Sequence, residues 1–318
     1  MTAKKQYKQV GKILFIFALV VCGLQIILSI LDAFLFSNSF SNYNTILDWI
    51  LSFAPIYLIG FPISILLFKR LPVDKTQPQK LTIGRFIILF IECIALVYIG
   101  NIIGTVLSLL LSKGQAINPV VEVTSNISII QVLVTTIIAP IIEEIMFRKL
   151  IIDHTVMYGE KVAIIYSALA FALFHMNLYQ FFYALAVGLI FGYIYVKTRS
   201  IRYSIIIHII INFFGGVIAP FIVSSVNVDV LQNIEMLSEA EIIKFIIPVL
   251  ILFVYLLVLL GFVIAGLVLF IINVRKISFN HTELDIPRGH AFKIAYLNVY
   301  YILFFIICLI YIILALIV

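Results

Sequence analysis

The stretch IIKFIIPVLILFVYLLVLLGFVIAGLVLFIINV at residues 242–274 carries one charged side chain, Lys244. A helix needs about 20 predominantly apolar residues to cross the hydrocarbon core of a bilayer, and this run exceeds that length. The same ruler, moved outward along the chain, gives about nine candidate spans near residues 12–36, 47–68, 83–112, 128–150, 161–177, 180–197, 202–222, 242–274 and 291–317. The composition agrees: 64% of the 318 residues are hydrophobic and 11% charged, with a mean hydropathy of +1.22. Soluble domains sit near half apolar and a quarter charged, so this chain lacks the polar surface to dissolve. Disordered, collagen-like and secreted disulfide-rich chains are excluded as well. Cys22, Cys93 and Cys308 are scattered through apolar stretches and suggest neither a disulfide nor a CxxC metal framework. The expected fold is an all-α, polytopic transmembrane helix bundle. Its expected parts are residues 1–127 with about three spans, 128–222 with about four, and 242–318 with about two.

Charge orders these spans. With the N-terminus in the cytoplasm, 19 of the 21 Lys and Arg residues fall on inner segments, and only Lys113 and Lys244 fall outside. Cytoplasmic loops carry such an excess. The net charge of +6 is therefore a topology signal spread over five loops, and no nucleic-acid partner is expected. The first apolar run is too long for the core of a signal peptide and lacks a small-residue cleavage site, so it reads as a retained helix. The fifth and sixth spans are short and separated only by the segment around Asn177 to Gln180; either one long helix or a re-entrant pair fits. Around Leu231 a short interfacial helix fits the outer loop. No soluble segment is long enough to bury a core, so any chemistry belongs inside the bundle.

Ionisable side chains within the bilayer are costly and face the bundle interior or a water-filled cavity. Asp32 reads as an interface residue and Glu92 as a structural group paired with inner-side basic residues. Six others form a group. The fourth span ends Ala139-Pro-Ile-Ile-Glu-Glu-Ile-Met-Phe-Arg148. Glu143 and Glu144 are adjacent and point about 100° apart on a helix. Glu144 and Arg148 are four apart with the acid N-terminal, the favourable order for an ion pair. Arg148 then neutralises Glu144 and leaves Glu143 unpaired by its own helix, placed to act as a base. Pro140 removes a backbone hydrogen bond and is expected to kink this helix. His175 closes Phe171-Ala-Leu-Phe-His, and His208 and Asn212 share one face of the seventh span. The plainer reading of the same residues is two carboxylates clamped by arginines and two hydrogen-bonded core histidines. Counted from basic flanks, Glu143 and His208 lie at a matching depth of roughly 8–9 Å, whereas His175, counted from Lys161, lies at about 21 Å.

Glu143-Glu144-x-x-x-Arg148, Phe171-x-x-x-His175 and His208-x-x-x-Asn212, in this order on successive helices, resemble the CAAX protease and bacteriocin-processing family of intramembrane proteases. The resemblance covers roughly residues 128–220 and makes that segment the expected catalytic core. It implies that Glu143, with His175, activates the attacking water. His208 and Asn212 would then donate to the oxyanion of the tetrahedral intermediate, with Glu144 and Arg148 supporting the site. No serine or cysteine nucleophile stands beside a base at motif spacing, which agrees with direct attack by water.

Two histidines and a glutamate (Glu143, His175 and His208) suit zinc, leaving a fourth position for water; there is no HExxH, and no obligate metal is expected. The implied function is an intramembrane endopeptidase of the cell membrane acting on a membrane-associated or lipidated peptide or protein. The alternative is a non-enzymatic membrane protein, either an immunity or regulatory partner or a proton-coupled transporter. The sequence leaves the substrate and the oligomeric state open.

Overall fold

A computed structural model of the chain describes residues 1–36, 52–74, 77–124, 128–226, 238–281, 284–287 and 289–317. The described residues are helical and irregular, without strands. In chain order the helices are α1 (Ala3–Phe36), α2 (Ser52–Phe68), α3 (Ile83–Leu111), α4 (Pro119–Thr124) and α5 (Ile129–Tyr158). They continue with α6 (Glu160–Phe174), α7 (Leu178–Thr198), α8 (Arg202–Ser224), α9 (Glu239–Val274), α10 (Ala291–Ala295) and α11 (Val299–Ile317). Seven of them (α1, α3, α5, α7, α8, α9 and α11) are long and apolar enough to cross a membrane. The chain is a multi-pass membrane protein.

The two remaining expected spans are shorter. Residues 47–51 of the second lie outside the described residues, and the rest forms the 17-residue α2. The fifth forms α6, whose 15 residues reach about 22 Å at 1.5 Å each, short of the ~30 Å hydrocarbon core. The segment after it is a corner between two helices and not one long helix. His175 caps the end of α6, Met176 takes a left-handed conformation at φ 55°, and Asn177 begins the next helix by accepting from Gln180 N at 2.9 Å. The interfacial helix expected near Leu231 lies outside the described residues.

α5 starts where the Ser128 hydroxyl accepts from Gln131 N at 3.1 Å. It does not run as one regular α-helix. Wider π-helical turns occupy Val132–Ile138 and Glu144–Ile152, on either side of Pro140, and the helix closes on a 3₁₀ turn at Val156–Tyr158. It therefore extends well past the expected end near residue 150. Arg148, counted from the sequence as an inner flank, is fully buried within it.

Glycines set close helix contacts in the fold. A Cβ on Gly100 of α3 would fall 2.5 Å from Tyr183 Cα of α7, and one on Gly104 would strike the Leu178 carbonyl. The two backbones touch, and α7 packs on its other side against α6. α9 lies on the far side of α3, where Gly266 meets the Ile91 carbonyl. Glu92 is buried in that seam and accepts from Asn273 Nδ2 of α9 at 2.7 Å. Its partner is thus a carboxamide 181 residues away in sequence, and not an inner-side basic group. Apart from this seam α9 exposes Leu250, Phe253, Leu257 and their neighbours, as suits a helix bordering lipid. α11 packs along α1. The segment after α9 returns to the α5–α6 turn, where Asn280 donates from N and Nδ2 to the Glu160 carboxylate, both at 2.9 Å.

Candidate active site

α5 brings its two glutamates to the same imidazole. Arg148 Nε donates to Glu144 Oε2 at 3.2 Å with both side chains fully buried, the i, i+4 pair expected from the sequence. Arg148 is fixed further by a bond from Nη1 to Ser167 Oγ at 3.2 Å and by the Phe171 ring, 4.5 Å from its guanidinium carbon. Ser167 in turn donates to the Phe147 carbonyl at 2.6 Å, tying α6 to α5. The other Glu144 oxygen meets His208 Nδ1 at 3.3 Å, and His208 Nε2 faces Glu143 Oε2 at 3.6 Å. Glu143 therefore has a partner after all, supplied by α8. A carboxylate accepts only, so Nδ1 carries a proton toward Glu144. The contact between Nε2 and Glu143 is favourable only with a second proton between them.

His175 stands across the Phe171 ring from His208. The ring centroid of Phe171 lies 4.8 Å from that of His175 and 5.9 Å from that of His208, close to perpendicular to both. His175 Nδ1 lies 2.9 Å from the Phe171 carbonyl one turn back. A carbonyl has no proton to give, so Nδ1 holds the proton and Nε2 of the neutral ring presents a lone pair. Glu143, His208 and Arg148 lie close enough to act on His175 electrostatically.

The depth mismatch inferred from the basic flanks disappears in the structure. Glu143 precedes the end of α5 at Tyr158 by fifteen residues, and His175 follows the start of α6 at Glu160 by fifteen. The two helices leave one turn in opposite directions, so both side chains stand about 22 Å from it. The expected shallow depth of Glu143 failed because Arg148 does not mark a membrane surface. Its charge is cancelled inside the helix by Glu144, so it need not reach water.

Asn212 is on the expected face of α8, but its Nδ2 donates to the Thr135 carbonyl at 2.9 Å. The reason lies in α5. In the π-helical turn Ala139 N–H bonds to the Val134 carbonyl, five residues back. The Thr135 carbonyl would then take residue 140, and Pro140 has no N–H to give. Asn212 satisfies that orphaned acceptor. Gln131 does the reciprocal service for α8, donating from Nε2 to the Gly216 carbonyl at 3.1 Å, whose α-helical partner would be Pro220. One N–H of Asn212 is thereby committed to structure and the other is left for chemistry.

Several neighbours escaped the sequence reading. Phe191 lies 5.5 Å from His208 ring to ring and also covers Arg148. Tyr183 lies 6.5 Å from His175 ring to ring, and Tyr57 and Tyr183 are both within electrostatic reach of Glu143. Neither aromatic type nor spacing marks Phe191 or Tyr57 among the chain's 16 tyrosines and 27 phenylalanines.

The side chains that would hold zinc do not assemble around a common point. His208 turns one nitrogen to each glutamate, and no group of three or more His, Cys, Asp or Glu side chains among the described residues is arranged to hold a metal ion.

Residues 125–214 match the family described as type II CAAX prenyl endopeptidase, Rce1-like. The resemblance drawn from the three motifs therefore holds over this stretch, which contains all seven motif residues and covers under a third of the 318-residue chain. No curated protein and no solved structure matches the chain.

Proposed function

We propose that the chain is an intramembrane endopeptidase of the CAAX type, in which water attacks a peptide bond of a membrane-associated or lipidated substrate in the cell membrane. The family match over residues 125–214 supports a protease. The observation that carries the reading is the meeting of Glu143, Glu144 and His208 beside the His175 imidazole.

In this reading Glu143 and the lone pair of His175 Nε2 hold the attacking water and take its proton as the oxygen adds to the scissile carbonyl. The carbonyl oxygen becomes an oxyanion, which His208 and the uncommitted N–H of Asn212 stabilise; such preorganised donors contribute about 3–4 kcal/mol each. Collapse breaks the C–N bond, and the proton taken from water passes to the leaving amine. Glu144 and Arg148 hold the imidazole of His208 in place and carry no proton in the reaction. No step as written requires a metal.

The test is cleavage of a prenylated CAAX peptide by purified protein and by Glu143→Ala and His208→Ala. Both variants are expected to lose activity while remaining folded. Full activity in both would overturn the assignment, and a cellular phenotype that survives Glu143→Ala would favour a binding role instead.

A further inference from the structure

The corner between α6 and α7 holds a chain of side-chain amides whose orientations are all determined. Asn177 Oδ1 accepts from Gln180 N at 2.9 Å, and a backbone N–H is a donor without ambiguity. Asn177 Nδ2 is therefore the donating end, and it serves both the His175 carbonyl at 2.7 Å and Gln180 Oε1 at 2.9 Å. That contact fixes the amide of Gln180 in turn, because its oxygen faces Asn177 and its Nε2 must face the other way. Gln180 Nε2 donates to Tyr183 Oη at 2.8 Å. The Tyr183 hydroxyl is thus an acceptor from Gln180, and its own proton points elsewhere.

The surroundings show where that proton is useful. The Tyr183 backbone is held against Gly100 with no room for a Cβ between them, so the residue cannot retreat toward α3. Its ring lies 6.5 Å from that of His175, and its phenol is near enough to Glu143 to interact with the carboxylate without bonding to it. A group lodged between them would meet a phenolic donor on one side and the acid and imidazole on the other. The other donors of the site are partly engaged, since Asn212 gives one N–H to Thr135 and His208 faces a glutamate with each nitrogen.

We propose that Tyr183 is a catalytic hydrogen-bond donor of this site, oriented by Gln180 and Asn177 to hold the negative oxygen that forms when the scissile carbonyl is attacked. This inference rests on the peptidase reading above. It adds a phenol on α7 to the oxyanion donors that the motif residues His208 and Asn212 supply.

The experiment measures kcat and KM for a fluorogenic farnesylated peptide ending in a CAAX motif, with the full chain in lipid nanodiscs. Tyr183→Phe keeps the ring and removes the proton. It is expected to lower kcat by about 10- to 100-fold, toward the loss seen when one oxyanion donor is removed, with KM and melting temperature unchanged. Gln180→Glu keeps the phenol but replaces the donor beneath it with an acceptor, which draws the Tyr183 proton back toward residue 180. It is expected to lower kcat as Tyr183→Phe does, a result that a purely space-filling role for the ring does not give. A kcat for Tyr183→Phe within about twofold of wild type, with Glu143→Ala inactive in the same assay, overturns the role of Tyr183 and leaves the peptidase standing. Wild type that leaves the peptide uncut, or Glu143→Ala that cuts it like wild type, removes the peptidase reading and this inference with it.

Discussion

Replacing Arg148 with methionine removes the guanidinium that pairs with the fully buried Glu144 carboxylate while nearly preserving side-chain volume. Besides the bond to Ser167 and the cover by Phe191, two interactions of different size are lost. Removing one partner of a buried ion pair costs about 3–5 kcal/mol, because a charge remains buried without compensation. The guanidinium also stacks 4.5 Å above Phe171, a contact of about 2 kcal/mol at most in a desolvated setting. The ion pair therefore dominates, and Arg148→Met is expected to destabilise the protein by about 3–5 kcal/mol. Phe171→Leu, which removes the stacking, is expected to cost less. Glu144→Gln combined with Arg148→Met buries no charge and is expected to recover most of the loss, since an apolar replacement of a whole buried pair is often neutral. The assay is denaturation in mixed micelles followed by reactivity of the three buried free thiols, Cys22, Cys93 and Cys308. Stability of Arg148→Met within about 0.5 kcal/mol of wild type, the range of ordinary surface substitutions, would refute the reasoning. So would a double variant no more stable than the single.

Asn212→Leu leaves the Thr135 carbonyl without the donor that Pro140 denies it, and is expected to cost about 1–3 kcal/mol of stability in addition to its effect on cleavage. Unchanged unfolding would show that Asn212 serves the reaction alone. Dialysis against a chelator is expected to leave cleavage intact, given a donor set that does not converge; stoichiometric zinc whose removal abolishes activity would overturn that expectation.

The parts of this architecture legible in the sequence are those with local causes. Apolar run length located the seven long helices, because crossing the bilayer is a matter of length and composition along one segment. The Glu144–Arg148 pair followed from i, i+4 spacing and survives the π-helical turn in which it sits. Non-local partners were the source of the differences. Glu143 lacks a partner on its own helix but gains His208 from α8, 65 residues away in sequence. Pro140 pointed to a kink, but the structure widens the helix on both sides of it, and the carbonyl left over is taken by a side chain 77 residues on. The depth of Glu143 was misjudged because Arg148, a buried arginine, was counted as a surface marker. Tyr183 had one readable signal, an Asn N-cap followed by Gln at i+3 and Tyr at i+6, and it gains meaning only beside His175.

The proposed activation of a water by Glu143 and His175 is tested most directly by comparing the membrane peptides of cells carrying wild type with those of cells carrying Glu143→Gln. That substitution keeps the size of the side chain and a group able to face His208, but removes the base. A membrane-associated peptide that accumulates uncut in the Glu143→Gln cells, and is trimmed when wild type is restored, is the expected result. Identical peptide inventories in the two strains, with both proteins present at equal levels, would contradict it.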